Sequence, residues 1–289
     1  MAEKPIYGGQ AVIEGVMMRG PSRMAIAVRT PDNGITVRSE VVSPWARRHP
    51  LLKLPIVRGF VTFIETLLVG IDALLYSANQ SAGADEELSK TEMSLTVLLG
   101  AGLAILIFVI IPTLLLGFLK KSLENLFLVN LIEGLVRIAF LVAYVYGISR
   151  MQDIRRVLQY HGAEHKVIHA FENGEPLTVD AARKYTTLHP RCGTSFLLFV
   201  VVVSTFLFSF LGWPALIPRI LSRIALMPVV AGISYELLKL TGRSRTPWLE
   251  WATLPGLWLQ RFTTLEPDDG MLEVAIAALQ VARDGGDGG

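Results

Sequence analysis

Four of the chain's five histidines and its single cysteine fall within 32 residues, from His161 to Cys192. His161, Glu164, His165 and His169 stand in the run YHGAEHKVIHAFE, and His189 and Cys192 in HPRCGTS. Imidazole and thiolate are zinc ligands, and a mixed nitrogen–sulfur set favours zinc or iron over magnesium. Two histidines four apart on a helix lie over one another, one turn apart, so His161 and His165 can hold one divalent ion. His161 and His169 span about 12 Å of helix at about 1.5 Å per residue, too far for one ion with Zn–N bonds of about 2.0 Å. The ion therefore takes one adjacent pair and recruits His189 or Cys192. Glu164 completes the pattern H-x-x-E-H, in which the carboxylate of inverted zinc peptidases is the general base. That match is only five residues long and no distal third ligand of that class is identifiable, so it does not fix a mechanism. A satisfied hydrogen-bonding network in a packed cap is the competing reading. Cys192 taken alone reads as a small buried hydrophobe.

The flanking sequence must position these groups. Residues 148–172 are expected to form one helix continuing from an apolar span, stopped by Asn173-Gly174 and Pro176. On it Ile154, Val157, Leu158, His161, His165, Ile168 and Glu172 share one stripe, so the two histidines point inward, with His169 and Glu164 on either flank.

The wider composition points to lipid. Only 18% of residues are charged and mean hydropathy is +0.47, against about 25% charged in soluble domains. Four apolar runs are expected to span a bilayer: Leu95–Leu119, Leu126–Ile148, Phe196–Trp213 and Pro214–Leu238. The region before Leu95, residues 149–195 and the region after residue 238 carry 22 of the 27 Lys and Arg residues. The positive-inside rule places all three, and both termini, in the cytoplasm. In residues 55–79, Arg58, Glu65 and Asp72 recur every seven residues on one face, so this helix is expected to be interfacial or re-entrant. Residues 80–92 read as a polar linker with Asp85-Glu86-Glu87 solvated, and residues 246–262, with Trp248, Trp251 and Trp258, as an interfacial belt.

At the N-terminus, residues 6–23 are glycine-rich and read as a tight irregular segment, whereas residues 24–42 read as a β-hairpin turning at Pro31-Asp32-Asn33-Gly34. The tail Ala282–Gly289 reads as disordered. The fold class is thus a mainly α-helical multipass membrane protein with a small N-terminal cytoplasmic β-hairpin region. Its expected units are 1–54, 55–79, 95–148, 149–195, 196–238 and 239–289. A net charge of +2 and the lack of a basic stripe with interleaved aromatics argue against nucleic acid. One cysteine excludes an internal disulfide, and the opening MAEKPIYGGQ has no apolar core of a cleavable signal. Within the spans, Glu133 and Arg137 are expected to pair, and Arg219 and Arg223 either snorkel or reach Glu133, with Glu236 near the inner end.

Three stretches, GGQAVIEGVMMRGPSRMAIAVR, YHGAEHKVIHAFE and HPRCGTSFLL, resemble the YqhQ-type family of bacterial membrane proteins, a domain of unknown function. The resemblance runs from about Tyr7 to Phe262. It implies a multipass protein of the bacterial inner membrane. The family is described as a predicted metal-dependent enzyme, which agrees with the histidine reading, and it brings no substrate or reaction.

The expected function is a cytoplasm-facing zinc enzyme, a hydrolase acting on a membrane-associated substrate. Glu164 would be the base, and His161, His165, His169, His189 and Cys192 supply the candidate ligands. Two alternatives stand beside it. One is an ion or small-solute transporter or channel, with Glu133, Arg137, Arg219, Arg223 and Glu236 lining a path, in a homo-oligomer if four spans are to form a pore. The other is a non-catalytic membrane scaffold. The expected partner in every case is the lipid bilayer.

Overall fold

A computed structural model describes residues 6–45, 49–82, 90–119, 125–212, 214–243 and 247–284. Asp85-Glu86-Glu87, loop residues 120–124, Trp213, the side chain of Trp248 and residues 285–289 lie outside the described part.

The N-terminal region is a four-stranded antiparallel meander of β1 (Gly8–Val12), β2 (Gly15–Arg19), β3 (Arg23–Arg29) and β4 (Ile35–Val41). The hairpin expected over 24–42 is β3 and β4, with Asn33 at φ 65° in its turn. The irregular segment expected over 6–23 is instead β1 and β2, paired from Gly8 with Arg19 to Val12 with Gly15. Glycine weakens an isolated strand, but here it permits close approach. A Cβ on Gly15 would run into the Ala27 carbonyl oxygen of the neighbouring strand.

The sheet is covered on both faces, so it is more than a small cap. Val16, Met18, Ala25 and Ala27 pack on α5 (Gln152–Glu172) and α10 (Asp269–Asp284). Met17, Met24, Ile26 and Val28 pack on the C-terminal half of α1 (Pro55–Ala82) through Val69, Ala73 and Tyr76. Strands buried on both faces read as apolar runs rather than alternating ones. That is how β2 (GVMMR) and the centre of β3 (RMAIAVR) read, whereas edge strand β4 alternates.

The tail expected to be disordered from Ala282 begins inside α10, which runs to Asp284. Val274, Ala275, Ala278, Leu279 and Ala282 are almost fully buried. Its apolar stripe completes the core that the sheet and α5 begin, which makes N- and C-terminal segments one structural unit.

The apolar helices follow in order. α2 (Lys90–Ile105) runs through a π turn at Leu106–Ile110 into α3 (Ile111–Leu119), and α4 (Leu126–Ile148) comes next. After α5 and the short α6 (Val179–Arg183) come α7 (Thr194–Ser209), α8 (Leu216–Arg243) and α9 (Pro247–Thr263). Among the described residues, four helical stretches are long and apolar enough to cross a bilayer: Pro55–Ser81, Leu95–Gly117, Leu128–Ile148 and Leu216–Thr241. Residues 55–79 therefore belong to this set by length and composition, and the run expected over 196–213 does not. Its helix α7 ends at Ser209, where Gly212 turns the chain at φ 65° ahead of Pro214. Leu98, Leu99, Phe206, Phe210, Ile217 and Leu221 are all more than 60% exposed.

The three charges spaced along α1 each meet an opposite charge. Arg58 grips Glu236 of α8 with two bonds of 3.0 and 2.6 Å, Glu65 accepts from Arg19 at 2.5 Å, and Asp72 lies 3.1 Å from Arg38. The charged face of α1 thus points at the sheet and α8. Gly59 and Gly232 bring those two helices together, since a Cβ on either would strike the other helix's backbone.

The helix expected to run unbroken into residues 148–172 is interrupted. α4 ends at Ile148, and α5 begins after Met151, which is extended at φ −74°, ψ 132°. The break lets α5 turn onto the sheet. Its end is as expected, with Gly174 at φ 76°.

Candidate metal centre

α5 carries the histidines between two backbone surfaces. Gly162 lies against the chain leaving α9, where a Cβ would collide with the Leu265 carbonyl oxygen, and Leu265 N–H donates to the Leu158 carbonyl at 3.0 Å. On another side, β1 lays Gly9 over Glu164. A Cβ on Gly9 would come within 3.0 Å of that carboxyl group. Glu14, in the β1–β2 turn at φ 52°, is gripped by Arg156 with two bonds and fixes this strand pair to α5.

These surfaces enclose a cavity of about 100 Å³ whose walls include His161, Glu164, His165, His189 and Cys192. Sequence spacing left open which partner joins the helix pair. In the structure it is Cys192: ligand atoms of His161, His165 and Cys192 all lie within 4.8 Å of one another, and Cys192 Sγ is 3.3 Å from His161 Nε2. Tetrahedral coordination at zinc bond lengths puts sulfur and nitrogen ~3.5 Å apart.

Backbone carbonyls hold the two rings. His161 Nδ1 is 2.8 Å from the Thr263 carbonyl oxygen, and His165 Nδ1 is 2.5 Å from that of Thr187. A carbonyl only accepts, so each Nδ1 carries a proton, and in the neutral ring the lone pair is then on Nε2. This is the arrangement found behind metal-binding histidines. Around Cys192, the Thr194 backbone N–H donates to Sγ at 3.4 Å, and Thr194 Oγ1 is 3.3 Å away.

His169 and His189 fall in a neighbouring group with Glu172, again within 4.8 Å. That group suits a metal less well. His189 Nδ1 accepts from the Arg191 N–H at 3.2 Å, so its proton sits on Nε2, facing Glu172 at 3.6 Å. The Arg191 guanidinium also sits on the Glu172 carboxylate. Gln260, fully buried, clasps the His189 backbone with bonds of 2.8 and 2.9 Å and so fixes the loop. The two groups adjoin, with the rings of His165 and His189 5.5 Å apart.

Burial dominates the electrostatics. It lowers the His165 and His169 values, and it brings His189 down to about 4. It raises the Cys192 thiol, against the pull of Thr194. Glu164 is pushed up to about 7 by burial, with His161 and the Gly9 N–H pulling the other way. Its Oε2 is buried without a hydrogen-bond partner.

Next to this cavity lies a larger apolar one of about 590 Å³ between α1, α7 and α8, walled by Phe63, Leu67, Ile71, Phe196 and Leu197. Gly193 lines both.

A family described as "Protein of unknown function (DUF1385)" matches this chain over residues 54–284. The chain belongs to that family. The match takes in α10, which the resemblance seen in the sequence had left outside. An "Uncharacterized protein YqhQ" of Bacillus subtilis (strain 168) is 37% identical to this DUF1385 chain over 287 residues, covering 94% of it and 90% of the relative. No solved structure matches the chain.

Sequence reasoning passed over several groups. Glu172 was placed on the stripe but not among the ligands, although His169-x-x-Glu172 puts both on one helix face. The carbonyls of Thr187 and Thr263 left no signal, since any residue offers one. The five charges expected to line a path are divided. Glu236 pairs with Arg58, whereas Glu133 pairs with Arg137 at 2.5 Å and with Arg223 at 2.5 and 2.6 Å. Arg223 therefore reaches Glu133 rather than snorkelling.

Proposed function

We propose that this protein is a zinc-dependent hydrolase of the bacterial inner membrane, acting on a membrane-associated substrate from the cytoplasmic side. His161 Nε2, His165 Nε2 and Cys192 Sγ would hold the ion, with Glu164 lining the same cavity. The observation that carries this reading is the pair of Nδ1–carbonyl bonds. They commit both imidazoles to the tautomer a metal needs, in a buried cavity that also holds the only cysteine. The partnerless Glu164 Oε2 adds to it, because a buried carboxylate oxygen without a donor is costly unless something else occupies the site.

When bound, zinc lowers the pKa of a coordinated water to about 7 and polarises a carbonyl or phosphoryl oxygen. The protein's part is proton handling and positioning. Glu164, raised to about 7, is poised to take a proton at neutral pH and return it to a leaving group. Burial keeps His165 neutral and available as a ligand. The apolar cavity that meets the site at Gly193 supports a substrate bearing an acyl or prenyl chain, its polar end at Glu164. The basic regions before α2 and around α5 support a cytoplasmic orientation.

The test is metal content by mass spectrometry of the detergent-purified protein beside His161→Ala and His165→Ala. Near-stoichiometric zinc in the parent, lost in both variants with helicity retained, is the expected result. Parent protein that stays metal-free after dialysis against zinc sinks the proposal.

A further inference from the structure

Towards the end of α7 remote from Cys192, the apolar helices enclose charge that the metal centre does not use. Glu133 and Arg137 of α4 and Arg223 of α8 are each less than 5% exposed. Both Glu133 oxygens are engaged: Oε1 by Arg137 and Arg223 at 2.5 Å each, Oε2 by Arg223 at 2.6 Å. Arg223 also donates to Thr113 at 2.6 Å, and the Phe208 ring lies under both guanidinium groups at 5.0 and 5.3 Å. One carboxylate is therefore divided between two guanidinium groups. Arg137 takes the smaller share: besides Glu133 it reaches only Ser204 Oγ, at a long 3.5 Å, and its Nε is buried with no hydrogen-bond partner.

Arg137 lines a cavity of about 420 Å³ formed by α4, α7, α8 and the π turn. Its walls are apolar, Phe108, Leu141, Val200 and Val201 among them, and Ser204 is the other polar lining residue. The volume falls in the range of small-molecule sites, roughly 300–1,000 Å³, which pair apolar walls with a few placed polar groups. An incompletely compensated cation among membrane-type helices is costly and marks a functional position. A guanidinium group is the side chain best shaped to take a carboxylate or phosphate. Apolar walls with one such group at the side match a hydrocarbon chain ending in an anion.

We propose that this cavity holds one alkyl chain of an anionic amphiphile, with its charged head on Arg137. The proposal does not depend on the metal centre.

The experiment offers phosphatidylglycerol, oleate and phosphatidylcholine separately to the full-length protein in detergent micelles and reads retention by native mass spectrometry. The parent should retain phosphatidylglycerol or oleate about tenfold over phosphatidylcholine. Which of the two is kept separates a phosphate head from a carboxylate. Arg137→Met should abolish the preference. Ala104→Trp, at the exposed rim of the cavity, fills it while leaving the ion network in place, and should lower retention of every chain. Equal retention of all three by the parent, or retention unchanged in Ala104→Trp with native helicity, overturns the proposal.

Discussion

Cys192 Sγ lies 3.3 Å from His161 Nε2, although 31 positions separate them in the chain. If both bind one ion, replacing zinc with cobalt should give the intense near-ultraviolet absorption of thiolate-to-metal charge transfer. Cys192→Ser should lose that band and weaken metal binding by at least about tenfold, since even a group behind a ligand is worth that much. A cobalt spectrum identical in Cys192→Ser would remove the cysteine from the coordination sphere.

Gly162 holds α5 against the chain that supplies the Thr263 carbonyl to His161. Gly162→Ala forces a methyl group into the Leu265 carbonyl oxygen, so the two segments must separate. The cost should be about 1–3 kcal/mol of stability, seen in thermal unfolding. Metal affinity should fall with it, because the His161 ring loses its orienting bond. Unchanged metal affinity would show that this close approach does not position His161.

Glu133 is the acid that Arg137 and Arg223 share. Glu133→Ala leaves both guanidinium groups buried without it and should destabilise the protein by about 3–5 kcal/mol. Glu236→Ala, which frees the part-exposed Arg58, should cost much less. Thermal unfolding of both variants in one detergent compares them directly.

The metal-free protein should lose stability on acidification. Burial keeps His165 and His189 neutral in the fold, with His189 at about 4 against an ordinary 6.5. Their contribution is complete above pH 6.5 and is lost as pH falls through the folded values. Glu164 works in the opposite sense. Raised from 4.5 to about 7, it keeps its proton in the fold after the unfolded chain has released it, so its contribution is lost as pH rises through that interval. The histidines outnumber it, and stability should fall between pH 6.5 and 4 by about 1.4 kcal/mol per pH unit for each net proton. Glu164→Gln should steepen the fall, as read from denaturant midpoints across the range.

Leu279 of α10 is fully buried against the sheet and α5. Leu279→Ala should cost about 2–5 kcal/mol, and truncation after Thr264 should abolish the folded N-terminal region. A truncated chain that retains the sheet would separate the tail from the core.

Local patterns alone determined part of this protein. The i,i+4 spacing of His161 and His165 and the inward stripe of α5 are properties of a 3.6-residue repeat, so they were legible in one segment. So were the apolar lengths of α2–α3, α4 and α8, the β3–β4 turn and the stop at Gly174. What the sequence left open depends on where distant segments meet. Cys192 rather than His189 joins the helix pair because the chain from Asn173 to Gly193 folds back along α5, and Gln260 pins His189 beside His169 instead. β1 and β2 escaped notice because a glycine-rich strand is stabilised by the ladder of its neighbour, and α10 because its apolar stripe has meaning only against a sheet more than 200 residues earlier. The carbonyls that set the histidine tautomers carry no residue type at all. Only the tertiary structure, by closing these loops, brought them within hydrogen-bonding distance.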